Sequence, residues 1–338
     1  MKSDREPREI VFAGNLVVDR LKFVEAWPKF MGLTTITRQE SALGGLACNC
    51  AVDMAKLAPE APVRVLGIIG KDALGDQIIK EFSKYPSINT EFVARAGETS
   101  FTDVITTPGG QRTFFQFPGA GALLGPEHFD FSRLNAAILH IGYILLLERL
   151  DGPDEAYPTG LCRVLDMARK SDILTSVDVV SESGDRYKRV VSPALAYTDI
   201  LTINDMEAEG VTGIPLRNAE GQLNRDTLEP CVRALAELGV KKWVCVHMPE
   251  VAAGLDVESG KYMEAKAFHV PEDFIKSSVG AGDAFAAGLL YGAYRGLPFE
   301  KALDEANAVA AYSLKGSSAS DAMAPLNEVL GEMERYRA

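Results

Sequence analysis

Six short apolar runs, each separated from the next by a longer segment of helical period, restrict this chain more than any other feature. Ile10–Ala13, Val63–Ile69, Ala137–Ile141, Ile173–Val177, Asp199–Ile203 and Lys242–Val246 are near-continuous rather than alternating, as expected of strands buried on both faces. The spacing predicts helices over Leu46–Ala58, Gly75–Lys84, Gly160–Lys170, Thr227–Leu238, Ala281–Tyr294 and Glu300–Leu314. Strands alternating with helices define an α/β fold: a three-layer sandwich with a mostly parallel central sheet. With 338 residues and no repeat, linker or low-complexity tract, the chain reads as a single domain spanning 1–338.

Two stretches break that rhythm. Leu33–Ser41 alternates with threonines, and Phe101–Thr107 with Arg112–Phe117 reads as a hairpin around Pro108-Gly109-Gly110-Gln111. Neither has a helix beside it, so both are expected in a small second sheet outside the main one.

Lysine plus arginine number 35 and aspartate plus glutamate 47, a net charge of −12. Such a surface repels phosphate backbones and anionic lipid, which argues against nucleic-acid and membrane partners. Cys48, Cys50, Cys162, Cys231 and Cys245 are odd in number and contain no CxxC pair, so reduced, buried thiols in a cytoplasmic protein are expected. Met1 to Glu9 carries charge without an apolar core, unlike a signal peptide, and no apolar run is long enough to span a bilayer.

The strongest local signal is Ser278-Val279-Gly280-Ala281-Gly282-Asp283. It follows the strand-like Ala265–Val270 and runs into an apolar helix. Glycines at a helix start leave backbone N–H groups accessible to an anion, and a first-turn carboxylate beside that anion can accept a proton. The alternative is a tight strand–helix turn in which Asp283 only complements the helix dipole. Asn204 and Glu207, three apart, share one face at a helix start; as residues alone they equally suit an N-cap with its capping-box acid. Neither a GxxxxGK[ST] loop nor an HExxH or GxSxG motif occurs.

In order along the chain, Gly44-Gly45-Leu46-Ala47-Cys48-Asn49-Cys50-Ala51, Gly67-Ile68-Ile69-Gly70-Lys71-Asp72-Ala73-Leu74-Gly75, Pro118-Gly119-Ala120-Gly121-Ala122-Leu123, Asn204-Asp205-Met206-Glu207 and Gly280-Ala281-Gly282-Asp283 resemble the signature blocks of the ribokinase, or PfkB-type, carbohydrate kinases. The resemblance runs from residue 10 to about 320. It implies a kinase that transfers the γ-phosphate of ATP, with Mg²⁺, to a hydroxyl of a sugar or sugar-like molecule. Asp283 would be the catalytic base, and the amides of Gly280, Ala281 and Gly282 an anion hole. Asn204 and Glu207 would organise Mg²⁺ and phosphate through water. Asp19, closing Gly14-Asn15-Leu16-Val17-Val18-Asp19, would bind sugar hydroxyls with Asn15, Gly44, Gly45 and Asn49. His247 and Asn307 would lie beside the nucleotide. The extra strands, about 18–42 and 92–118, would form a lid over the sugar, and its threonine and aromatic strands point to a homodimer through that lid.

Some positions depart from the pattern. Val246-His247-Met248-Pro249-Glu250-Val251 stands where a glycine-rich turn is usual, and Pro249 has no amide to donate. Ser277 and Val279 replace an aspartate and a threonine common before the GAGD block. Val17 and Leu46 replace the asparagine and lysine of ribokinases proper, implying a pocket more apolar than a ribose pocket. Three readings follow: a sugar kinase; a nucleoside or phosphosugar kinase; or a non-catalytic ligand-binding protein on the same fold. A phosphosugar would call for basic residues near the lid, where Arg38 and Arg112 stand out.

Overall fold

A computed structural model describes residues 7–182 and 184–337. The strands are β1 (Glu9–Gly14), β2 (Val17–Val24), β3 (Ile36–Gly44), β4 (Val63–Ile69), β5 (Ile88–Arg95), β6 (Ser100–Thr106), β7 (Arg112–Phe117), β8 (Ala136–Ile144), β9 (Leu174–Val179), β10 (Ile200–Asn204), β11 (Trp243–Met248), β12 (Val251–Asp256) and β13 (Lys261–Lys266). The helices are α1 (Leu46–Leu57), α2 (Ala73–Phe82), α3 (Glu148–Asp151), α4 (Gly160–Lys170), α5 (Ser192–Leu195), α6 (Asp205–Thr212), α7 (Arg225–Glu237), α8 (Ala281–Tyr294), α9 (Phe299–Ser313) and α10 (Leu326–Met333).

Among the described residues the large sheet has nine strands in the order β13-β12-β11-β10-β9-β8-β1-β4-β5. Every pairing from β11 through β5 is parallel, and only β12 and β13 join antiparallel. Residues alternate between two cores because successive strand side chains point to opposite faces. Ile10 and Phe12 pack with α1, α8 and α9, whereas Val11 and Ala13 pack with α4 and α7. The sheet is therefore the middle of three layers. A separate four-stranded sheet, β3-β2-β6-β7, is built from the stretches that lacked helices.

Two boundaries differ from the sequence reading. Residues 92–95, assigned to the lid, lie in β5 at the edge of the large sheet. Ala265–Val270, taken as the strand before the glycine motif, is a strand only as far as Lys266. Antiparallel pairing with β12 ends there, and the chain crosses to α8 through irregular structure.

The winding of the chain positions the site. From β1 it passes to β4 and β5 on one side, then to β8, β9, β10 and β11 on the other. At such a reversal the loops diverge and leave a crevice outside the carboxyl ends of the strands. Asn15 follows β1, Tyr143 and Asp178 lie in the last two residues of β8 and β9, and Asn204 ends β10. Among the described residues no helix is long and apolar enough to cross a membrane. All five cysteines are buried and unpaired.

Candidate active site

The start of α8 is built around glycine. Gly280 has φ of 82°, and a Cβ there would stand 2.6 Å from the backbone of Ala319, so an L side chain is refused on two counts. The helix opens without a side-chain cap, and Gly280, Gly282 and Asp283 at its start line a cavity of about 120 Å³. Tyr143, Asp178, Val179, Asn204, Glu207, His247, Gly280, Gly282 and Asp283 line it. Ala281 faces the adjoining groove instead, and its amide donates to the Ser278 carbonyl at 3.3 Å. Ser277, standing where an acid was expected, accepts from the Val279 amide at 3.1 Å and shapes the turn.

Asp283 is buried, and two side chains donate to its carboxylate. Asn49 Nδ2 reaches Oδ2 at 2.8 Å; the Tyr143 hydroxyl lies 2.8 Å from Oδ1 and 2.7 Å from Oδ2. Burial raises its pKa from 3.8 to about 6, with the two donors acting in the opposite direction. Asn49, expected in the sugar cradle, thus has its amide on the Asp283 carboxylate. Asp19 faces the same region from β2. Burial raises its pKa to about 6, opposed by a hydrogen bond from Thr102, and the Asp283 charge adds to the rise.

Gly44 and Gly45 hold this cradle by lacking side chains. A Cβ on Gly44 would lie 2.4 Å from the Asp19 carboxylate, and one on Gly45 2.4 Å from the Asn15 carbonyl. Asn15 donates to the Leu146 carbonyl at 3.0 Å, and its Oδ1 faces Gly121. Val17 and Leu46, the departures from the ribokinase pattern, are buried, and Leu46 packs on Gly142.

Asn204 and Glu207 form the capping box that their spacing allowed. Asn204 Oδ1 accepts from the Glu207 amide, and Glu207 Oε2 from the Asn204 amide, each at 2.9 Å. Glu207 Oε1 also accepts from Ser181 and from Asn204 Nδ2. Both residues also line the cavity. Burial lifts Glu207 to about 7, against those hydrogen bonds.

A groove of about 320 Å³ continues from the cavity, sharing Asn204, His247 and Gly282 with it. Met206, Met248, Pro249, Phe268, Ala310 and Leu314 make its walls apolar. His247 is held neutral by burial, its pKa lowered to about 4, and its ring lies 5.0 Å from that of Phe285. Asn307 lines the groove with its amide donated to the Lys266 carbonyl at 2.8 Å.

Sequence reasoning missed Tyr143 as a partner of Asp283, and Asp178 as part of the cavity. Asp178 is buried with Oδ1 lacking a hydrogen-bond partner. The signal available for both was position, since each follows an apolar run at the carboxyl end of a strand beside the reversal.

Fold and site together define a ribokinase-like enzyme of the α/β class. The profile of the pfkB family carbohydrate kinases matches residues 8–325, and the chain belongs to that family. It is accordingly a carbohydrate kinase, a phosphotransferase with a sugar acceptor. The uncharacterized sugar kinase YegV of Escherichia coli (strain K12) is 25% identical over 309 residues, 90% of this chain and 88% of that protein. The ATP-dependent ribose-1-phosphate kinase of Halopiger xanaduensis is 26% identical over 307 residues, covering 89% and 90%. Arabidopsis thaliana ribokinase, solved with ribose and ATP, superposes with a TM-score of 0.78 at 21% identity, covering 97% of this chain and 99% of its own.

Proposed function

We propose that this kinase transfers the γ-phosphoryl group of ATP to a hydroxyl of an uncharged sugar or polyol, with Asp283 as the proton acceptor. The observation that carries the reading is the place of Asp283, a buried carboxylate where the apolar groove meets the cradle of Asp19 and Gly44. The adenine side of the nucleotide suits the groove, and its terminal phosphate the uncapped start of α8. The acceptor oxygen bonds to phosphorus as its proton passes to Asp283 and the bond to the departing ADP breaks. Asp19, as carboxylate or acid, suits a hydroxyl at fixed geometry.

A divalent cation fits the residues present. Asp178, Glu207 and Asp283 line one small cavity, no lysine or arginine lines it among the described residues, and Asp178 Oδ1 is buried without a partner. The Asn204 and Glu207 oxygens are engaged by protein donors, so these residues would hold Mg²⁺ through water, with Asp178 beside them. Such an ion neutralises charge on the transferring phosphoryl group.

An uncharged acceptor is favoured over a phosphosugar by the arrangement of cations on the small sheet. Arg20 and Lys22 alternate with Asp19 to the opposite face and pair with Asp103. Arg38 and Arg112 share the Asp19 face but stand level with Phe23 and Thr106. That is four residues, about 13 Å, further along the strands. The small sheet is read as the lid. Its exposed Ile36, Phe114, Phe115 and Phe117 support pairing with a second copy in a homodimer. Five buried free thiols support a reducing, cytoplasmic setting.

The test is coupled ADP release with MgATP across pentoses, hexoses, polyols, nucleosides and sugar phosphates, with Asp283→Asn alongside. Loss of the proton acceptor should lower turnover by about 10²–10⁴-fold without unfolding the protein. Full turnover in that variant would remove Asp283 from the chemistry.

A further inference from the structure

The proton acceptor has a partner that the phosphoryl-transfer scheme does not use. Tyr143, the penultimate residue of β8, lines the cavity with Gly280 and Gly282, its hydroxyl within hydrogen-bond distance of both Asp283 oxygens. A buried tyrosine needs some acceptor for its hydroxyl. This one is placed on the group that the reaction protonates, 140 residues away in sequence.

We propose that Tyr143 is the positioning residue of the proton acceptor: its hydroxyl, with the Asn49 amide, fixes the carboxylate plane and leaves Oδ1 to receive the proton. The assignment rests on how many lone pairs are occupied. A carboxylate offers about four acceptor directions. Oδ2 takes Asn49 at 2.8 Å and Tyr143 at 2.7 Å, whereas Oδ1 takes Tyr143 alone at 2.8 Å. The oxygen not bonded to Asn49 therefore keeps a free lone pair. During transfer the acceptor hydroxyl loses its proton to that oxygen, and Tyr143 keeps its own. Burial pushes the Tyr143 phenol well above its ordinary value, so it remains a neutral donor.

The titratable groups facing this pair are Asp19 from β2, Cys48, Cys50 and Asp53 from α1, Asp178 from β9, and Glu207 and His247 around the cavity. None donates a hydrogen bond to the Asp283 carboxylate among the described residues. Removing the Tyr143 hydroxyl should therefore be felt directly by the acid.

The inference rests on Asp283 being the proton acceptor, and the experiment separates the two claims. The Asp283 carboxyl carbon is followed by ¹³C NMR titration in the wild type and in Tyr143→Phe, with turnover measured beside it. The expected result is a midpoint raised by about one pH unit or more in the variant. The acid limb of kcat should move with it, and kcat should fall about 10- to 100-fold while KM changes little. An unmoved midpoint in folded Tyr143→Phe overturns the proposal, whatever Asp283→Asn does. A raised midpoint together with an active Asp283→Asn would overturn the base assignment and leave the pairing standing. If Tyr143→Phe does not fold, the wild-type Tyr143 phenol carbon is read instead. It should titrate with the Asp283 midpoint and lose that step in Asp283→Asn, and a flat signal overturns the proposal.

Discussion

The pH dependence of acceptor capture follows from the burial of Asp283. An aspartate taken this far from water rises by about 3–5 pKa units, because low polarity penalises the charged form. Two hydrogen bonds to the ionised group, from Asn49 and Tyr143, each restore about 1–2 units, at about 1.5–3 kcal/mol per bond to a charge. The balance is a net rise, about one unit at the middle of these ranges, in the direction of the shift from 3.8 to about 6. A base must be ionised to act, so activity is present above that value and lost as pH falls through it. Roughly nine-tenths of the carboxyl is ionised at pH 7 and about one-tenth at pH 5. The assay is the rate with acceptor and MgATP both well below saturation between pH 4.5 and 8, since the second-order dependence then reports groups of the free enzyme. The acid limb should centre near 6. Asp19 titrates in the same range from the same pocket, so the limb reports the pair rather than one residue. Asp19→Asn should leave a single-proton limb at nearly the same midpoint. A limb centred at about 4, the ordinary carboxylate range, would refute the claim that burial tunes this base.

Two further outcomes follow from the same structure. Asp53 on α1 is fully buried, and neither of its oxygens has a hydrogen-bond partner. Its pKa is raised, by burial first and then by the Asp283 charge. A raised carboxyl pKa lowers stability as pH climbs from the unfolded value, about 3.9, through the folded one. Asp53→Ala removes an unpartnered polar group costing about 1–3 kcal/mol and leaves a cavity costing about 1 kcal/mol. Urea denaturation should show the variant more stable by about 1 kcal/mol at pH 8 and gaining less at pH 4; a variant less stable at pH 8 contradicts this. For the lid pairing, Phe115→Lys should shift the protein toward a monomer in light scattering, and a wild type that is already monomeric would dispose of the dimer.

Local order was legible where it is locally determined. The observed bounds of β4, α4 and α8 coincide with Val63–Ile69, Gly160–Lys170 and Ala281–Tyr294 read from the sequence. Apolar runs and capping residues set those ends. β5 and the β12–β13 pair were not legible: β5 mixes charge with apolar residues on a sheet edge, and Val251–Asp256 and Lys261–Lys266 are defined by pairing with each other. In the site, Asp283, Asn204 and Glu207 carried a local signature. Tyr143 did not, because its bond to Asp283 spans the fold, and Asn49 was placed on the sugar although its amide lies on Asp283, 234 residues away.

That long-range contact depends on how closely α8 approaches its neighbours. A Cβ on Gly288 would meet Ala306 at 3.0 Å, and one on Gly292 would meet Ala302 at 2.7 Å, so α8 sits against α9 at a separation that only glycine permits. It also packs on α1, within the core that holds Ala284 and Ala287 together with Ala47, Cys50 and Ala51. Small residues at both contacts leave α8 little room to slide or turn, since dense interiors resist even methylene-sized changes. The first turn inherits that rigidity: Asp283 is carried at the end of a clamped helix, and Asn49 reaches it from a helix clamped against the same core. Precise placement of a reacting group comes from rigid elements and their supporting contacts. On the proposed role of Asp283, the alanine- and glycine-rich run after it serves the chemistry by holding the carboxylate in place, though none of its side chains beyond Asp283 lines the cavity.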